Sequence, residues 1–282
     1  MNRLQQKILD LLKNFISICQ KNGLTYFLVC GSALGAVKYK GFIPWDDDID
    51  VGMPRKDYDI FVNKAQELLP ENIFLQNYRT DKEFPHVFSK LRDSSTTLIE
   101  KGVAHLNMHH GIYIDVFPID GYPQDKNEQK NLNKKKKFLT WKQYCALKDK
   151  SNWKVRLRNP FFRLLGYHKR TTKTLATMEA LISQYDTEKS EVWCNHGNWG
   201  GMLEYAPKWH YGKGIQAEFE GVKVIIPENY DAYLTQKYGN WRKDPPAEKM
   251  VSHHKFVICD LDRPYTEYIK IRDNSLESQV NF

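Results

Sequence analysis

From position 46 to position 53 the chain reads Asp-Asp-Asp-Ile-Asp-Val-Gly-Met. The second half alternates, so it predicts a strand with Asp48 and Asp50 on one face and Ile49 and Val51 turned to a core. Burying unpaired charge is costly, so a sheet carrying this strand must offer its acidic face to a cation or to donors. A second strand repeats the demand. In 112–117, Ile112, Ile114 and Val116 share one face, Tyr113, Asp115 and Phe117 share the other, and Asp115 is the lone charge.

The remaining pattern supplies the scaffold. Leu4, Ile8, Leu11, Leu12, Phe15 and Ile18 recur at helical spacing over 3–22, and Gly23 closes that helix. Residues 26–30 predict a short buried strand, followed by a Gly31-Ser32 turn into a short helix. Pro54 stands at a helix start, with Tyr58, Phe61, Val62, Ala65, Leu68 and Leu69 on one face. Alternation over 86–92 puts His86, Phe88, Lys90 and Arg92 together. Residues 124–185 read as basic and helical, with lysines at 134–137 and a cluster of Lys154, Arg156, Arg158, Arg163, Lys169 and Arg170. A hairpin over 215–226 turning at Glu220-Gly221 and a helix over 228–238 closed by Gly239 follow, and from about Asn274 the pattern is that of a frayed tail. The division expected is 1–123 for a catalytic core, 124–190 for a basic helical segment, and 191–282 for a hairpin and helices completing the active site.

Composition narrows the class. With 282 residues, 41% hydrophobic and 27% charged, disorder, collagen and coiled coil are poor readings. A net charge of +8 calls for an anionic partner. The longest apolar runs are too short to span a bilayer, and the first residues, Met-Asn-Arg-Leu-Gln-Gln-Lys, lack the apolar stretch of a secretory leader. The five cysteines are Cys19, Cys30, Cys145, Cys194 and Cys259. Their odd number and spacing point to a reducing compartment and away from disulfide or zinc frameworks. The expected location is cytoplasmic, with peripheral contact at the inner face of a membrane left open.

Two carboxylates one strand repeat apart suit Mg²⁺, with Mn²⁺ as the alternative, and Asp115 is a candidate for a third carboxylate from a neighbouring strand. Gly31 lets backbone N–H groups approach a phosphate, and the helix behind it adds its dipole. Strand, Gly-Ser, helix, Asp-x-Asp strand and a further Asp-bearing strand together predict an α+β nucleotidyltransferase (polymerase-beta-like) fold. Its mixed sheet core would be flanked by helices and carry the basic helical insertion. Fifteen residues separate Ser32 from Asp48, a longer span than that pattern usually has. Lys90 and Arg92 are candidates for neutralising a leaving phosphate, or are solvated strand residues. His109-His110 reads as a surface or hydrogen-bonded pair, and the residue types alone favour a plain structural reading of His253-His254 over phosphate contact or proton transfer, a role that only a family resemblance supports. Trp45, Trp193, Trp199 and Trp209 read as core or rim.

The runs Gly31-Ser-Ala-Leu-Gly-Ala-Val-Lys38 and Gly41-Phe-Ile-Pro-Trp-Asp-Asp-Asp-Ile-Asp-Val-Gly-Met-Pro-Arg55, with Tyr58, resemble the signature of the LicD family. So do Lys90-Leu-Arg-Asp, Gly111-Ile-Tyr-Ile-Asp-Val-Phe-Pro-Ile-Asp-Gly121, and the late Tyr238-Gly, Pro245-Pro246 and His253-His254. The resemblance spans about residues 20–255. It implies a transferase that moves phosphocholine, or a similar phospho-alditol group, from a CDP-linked donor such as CDP-choline. The acceptor is a hydroxyl of a teichoic acid or surface glycan, lipid-linked or free, and CMP leaves. It also implies Asp48, Asp50 and Asp115 as metal ligands, with Asp46 or Asp115 accepting the hydroxyl proton. The cysteine zinc site of the fukutin-like relatives has no match here. The alternative is a true nucleotidyltransferase that releases pyrophosphate from CTP or another NTP. A nucleic-acid-binding protein ranks below both, because no RNA or DNA module is recognisable and none is expected as a partner.

Overall fold

The computed structural model describes residues 1–147, 171–197, 204–252 and 254–269. In chain order the elements are α1 (Arg3–Asn22), β1 (Phe27–Leu28), α2 (Cys30–Lys38), β2 (Asp50–Pro54), α3 (Arg55–Leu68), β3 (Ile73–Gln76), β4 (Ser89–Asp93), β5 (Thr97–Glu100) and β6 (Ile112–Tyr122). Then come α4 (Lys126–Leu147), α5 (Thr171–Ile182), β7 (Val192–Asn195), β8 (Tyr205–Pro207), α6 (Lys208–Tyr211), β9 (Ile215–Phe219), β10 (Val222–Ile226), α7 (Tyr230–Tyr238) and β11 (Phe256–Asp260).

One mixed sheet organises them in the order β1-β2-β6-β4-β3, with β7 and β8 continuing beside β6. The β2–β6 pair is parallel and the other pairs are antiparallel. Two apolar layers cover its faces. Under one, Ile49, Val51 and Met53 of the acidic strand meet Ile8, Leu12 and Phe15 of α1 and Phe61 of α3. On the other, Phe27, Phe88, Phe117, Trp193 and Tyr211 cluster. Helix α1 is set by its ends: Asn2 and Gln5 form a reciprocal capping box, and Gly23 takes the left-handed conformation at φ +62° that favours glycine.

The structure moves several boundaries. The strand expected over 26–30 is only Phe27–Leu28, because Val29 already acts as N-cap and Cys30 opens α2. Gly31 and Ser32 therefore lie in the first helical turn and not in a turn before it. The strand expected from His86 begins at Ser89, where pairing with β6 begins. The final helix starts at Tyr230, after Asn229. The basic cluster from Lys154 to Arg170, Trp199, His253 and the tail from 274 lie outside the described residues.

Candidate active site

The parallel pairing of β2 with β6 sets Asp50 directly beside Asp115. On the other flank of β6, the antiparallel pairing with β4 sets Lys90 beside the same residue. Three chemistry-bearing side chains thus stand in one row across the sheet. Ile49 and Val51 are fully buried on the opposite face, as strand alternation requires.

Helix α2 closes the row from above. The Asp50 N–H donates to Ser32 Oγ at 2.8 Å, and the Val29 N–H donates to Asp50 O at 3.0 Å. Gly31 lies so close to the acidic loop that a Cβ built there would fall 2.9 Å from Asp46 Oδ2. From below, the buried Gln5 of α1 donates through Nε2 to Asp46 O at 2.9 Å. Cys30, between the strand and Gly31, has φ +55°, a strained conformation for a residue with a side chain. Its N–H donates to Tyr233 Oη at 3.1 Å.

Lys90 and Arg92 share a face, and both are buried. The Lys90 ammonium stands 2.9 Å from Asp115 Oδ1 and 3.2 Å from the centre of the Tyr113 ring. The Arg92 guanidinium lies over the same ring, 4.7 Å from its centre. It donates to Gln76 Oε1 and, at 2.6 Å, to Gly111 O. Arg92 therefore braces Tyr113 and the start of β6, while Lys90 carries its charge to the acidic row.

His254 arrives from the far end of the chain. Its Nδ1 lies 2.6 Å from Asp47 Oδ1 and its Nε2 3.6 Å from Asp48 Oδ2. Ser252 Oγ donates to Asp47 Oδ2 at 2.7 Å. His109 and His110 are buried and hydrogen-bonded, to Ser94 and to the Leu106 carbonyl respectively.

Sequence reasoning missed Lys237 and Glu204. The two form an ion pair, each nearly buried, and Lys237 also approaches the Cys30 thiol and Asp50. The available signal was that Lys237 follows Tyr233 by four residues, so both lie on the inward side of α7. Glu204 carried no pattern of its own.

The electrostatics fit the crowding. Burial, then Asp50, Asp46 and Asp115, push the Asp48 carboxyl well above the usual range. Burial and the facing Asp115 raise Asp50 to about 7. Burial raises Asp46 and Asp115, with Lys90 working in the other direction at Asp115. The hydrogen bond to Asp47 raises His254. Burial disfavours charge on Lys237, but Cys30 and Glu204 outweigh it and its pKa rises.

Among the described residues no group of three His, Cys, Asp or Glu side chains is already arranged to hold a metal ion. The donor chemistry nonetheless suits a hard divalent cation. It is all carboxylate oxygen, and the carboxylates raise one another's pKa. Asp48, Asp50 and Asp115 are the residues that could hold it.

Residues 23–148 match the family described as LicD/FKTN/FKRP, nucleotidyltransferase domain. The chain is 28% identical over 254 residues to the lipopolysaccharide cholinephosphotransferase LicD of Haemophilus influenzae, covering 87% of this chain and 92% of that protein. It is 30% identical over 115 residues to the uncharacterized protein RP689 of Rickettsia prowazekii, covering 41% of this chain and 40% of that one.

Proposed function

We propose that this chain, which carries a LicD-family domain across residues 23–148, is a phosphotransferase of nucleotidyltransferase-like fold. It moves phosphocholine or a similar phospho-alditol group from a CDP-linked donor to a hydroxyl of a teichoic acid or cell-surface glycan. The observation that carries this reading is the row Asp50, Asp115 and Lys90 on three neighbouring strands, with Asp46 and Asp48 at its mouth. The likeness to a cholinephosphotransferase over most of both chains supports it.

Asp48, Asp50 and Asp115 would hold Mg²⁺, or Mn²⁺ in its place. When bound, the ion neutralises the pyrophosphate of the donor. The chain's own residues do the rest. The first turn of α2 at Gly31 and Ser32 faces phosphate oxygens with backbone N–H groups and the positive end of the helix. The acceptor hydroxyl oxygen attacks the distal phosphorus, its bond to CMP breaks, and CMP leaves with the electron pair. Asp46 takes the hydroxyl proton in this reading: among the described residues no lysine pairs with it, whereas Asp115 is engaged by Lys90. Lys90 supplies positive charge beside the leaving phosphate, Arg92 positions it through Tyr113, and His254 holds Asp47 and Asp48.

The test is a panel of CDP-linked donors with Mg²⁺, scored for CMP release with and without acceptor. Asp48→Asn and Asp50→Asn should each abolish release while the far-UV spectrum is unchanged. Activity surviving both changes overturns the assignment. The description of the matched domain also favours a second reading, nucleotidyl transfer from CTP or another NTP. Pyrophosphate in place of CMP among the products would select it.

A further inference from the structure

Arg55 follows directly on β2 and opens α3, five residues past Asp50. Asp120 lies on β6, five residues past Asp115. The parallel pairing runs without a shift from Asp50 and Asp115 to Pro54 and Ile119, so the next pair across the two segments is Arg55 and Asp120. Their side chains close it. Arg55 Nε donates to Asp120 Oδ1 at 2.6 Å and Nη2 donates to Oδ2 at 2.8 Å, a two-pronged contact with a carboxylate that is 0% exposed. The third nitrogen, Nη1, lies 3.3 Å from Glu179 Oε1 on α5, and Tyr78 and Arg79 donate to the other oxygen of Glu179. The guanidinium also stands over the buried Tyr58 ring at 5.2 Å, and the Tyr58 hydroxyl shares a 2.7 Å hydrogen bond with Ser89 Oγ of β4. The strands that carry Asp50, Asp115 and Lys90 thus converge on Arg55 outside the row: β2 by the chain itself, β6 through Asp120, and β4 through Tyr58 and Ser89.

We infer that Arg55, paired with Asp120, is a positioning residue that sets the register of β2 against β6 and so holds Asp50 beside Asp115. This rests on the reading of Asp48, Asp50 and Asp115 as the residues that hold a divalent cation. Hydrophobic alternation does not select the register by itself. A slip of two residues leaves Ile49, Val51 and Met53 on the buried face, yet sets Asp50 against Tyr113 or Phe117, about 7 Å along the strand from Asp115. Like charge favours such a slip, since carboxylates in directly opposed positions repel. The Arg55 contact opposes it. The same slip sets Arg55 against Pro118 or Tyr122, neither of which carries a carboxylate, and leaves Asp120 buried without its partner. Fixing register is the best-attested use of a buried ion pair.

The experiment uses the full chain, freed of metal with a chelator, and reads Mn²⁺ affinity by calorimetry and urea unfolding on the same preparations. Arg55→Met alone leaves Asp120 buried and unpaired and should unfold early. The informative protein is therefore the double variant Arg55→Met, Asp120→Leu, which removes both charges and keeps the space filled. It should unfold cooperatively near the wild-type midpoint and bind Mn²⁺ at least about tenfold more weakly. The Mg²⁺ concentration that half-saturates CMP release should rise by the same factor. Arg55→Lys keeps the charge but offers one prong, and should fall between. Val224→Ala opens space in the β9–β10 hairpin, which pairs with no strand of the row, and should lower the urea midpoint without changing Mn²⁺ affinity. Affinity of the wild-type strength in the double variant overturns the inference. So does an equal loss in Val224→Ala, which would make affinity follow stability alone. Asp50→Asn separates this from the reading beneath it: wild-type protein that binds no Mn²⁺, or binds it as well with Asp50→Asn, overturns the metal site itself and the inference with it.

Discussion

Asp50 lies directly across a parallel strand pair from Asp115, and the two carboxylates share one face of the sheet. Burial and that facing charge raise Asp50 to about 7. The folded chain therefore holds this proton more tightly than the unfolded chain does. The stability Asp50 contributes is full below its unfolded pKa near 4 and is lost as pH rises through about 7. In chelator-treated protein, Asp50→Asn should match the wild type at low pH and exceed it at neutral pH, by up to about 4 kcal/mol. Urea unfolding across pH 4–8 measures the gap. Adding Mg²⁺ should raise the wild-type stability at neutral pH and leave Asp50→Asn nearly unmoved. Equal stability of the two proteins at every pH would refute the assignment of this pair as a site of stored repulsion.

Gly31 is where the helix and the acidic loop come closest. A Cβ at 2.9 Å from Asp46 Oδ2 must displace the carboxylate, which is the flexible partner. Gly31→Ala gains about 1 kcal/mol of helix propensity against that contact, so stability should change by less than about 1 kcal/mol. The rate of CMP release should nonetheless fall by about 10- to 100-fold, because a displacement of this kind at the reacting groups is costly. An active Gly31→Ala protein would mean that Asp46 is not held against α2 during the reaction.

His254 contributes stability of the opposite chemical kind. Its pKa is raised by the hydrogen bond to Asp47. The pair's contribution is full below the unfolded value near 6.5 and is lost as pH rises through the raised folded value. His254→Gln should therefore cost about 1–2 kcal/mol at acidic pH and less in alkaline solution. The measurement is the difference in melting free energy between the two proteins from pH 5 to 9. A difference that grows with pH would show that the pair is not charged as described.

Much of this site was legible in sequence because period-2 alternation states which residues share a face. Ile49 and Val51 could be placed opposite Asp50 from consecutive residues, but the strand expected from Asp48 begins only at Asp50, so Asp48 stands in the loop before β2 and reaches the row from there. The helix over 3–22, the 215–226 hairpin and the Pro54 helix start were equally local, each marked by a cap or turn residue. Non-local register was not legible. That β2 runs parallel to β6 with Asp50 at Asp115, and that β4 brings Lys90 to the same residue, depends on pairing that no local pattern encodes. Arg92 shows the limit: alternation put it beside Lys90, but its guanidinium turns to Gln76 and Gly111. The start of α2 was misread because Val29 and Cys30 look like strand residues, and the cap that ends the strand at Leu28 is made by backbone alone.

Lys237 had the weakest sequence signal and carries the sharpest consequence. Its ammonium pairs with Glu204 in a nearly buried setting and lies close enough to Asp50 to lower that carboxyl's pKa. Removing it leaves Glu204 buried without its partner, which costs about 3–5 kcal/mol. Lys237→Met should therefore unfold at markedly lower urea. The double variant Lys237→Met, Glu204→Gln removes both charges and should recover most of the lost stability. If the ammonium acts only to hold Glu204, the double variant regains CMP release along with stability. If its charge also serves the acidic row, stability returns and activity does not. The position beside Asp50 favours the second outcome, which unfolding curves and CMP release measured on the same preparations would separate.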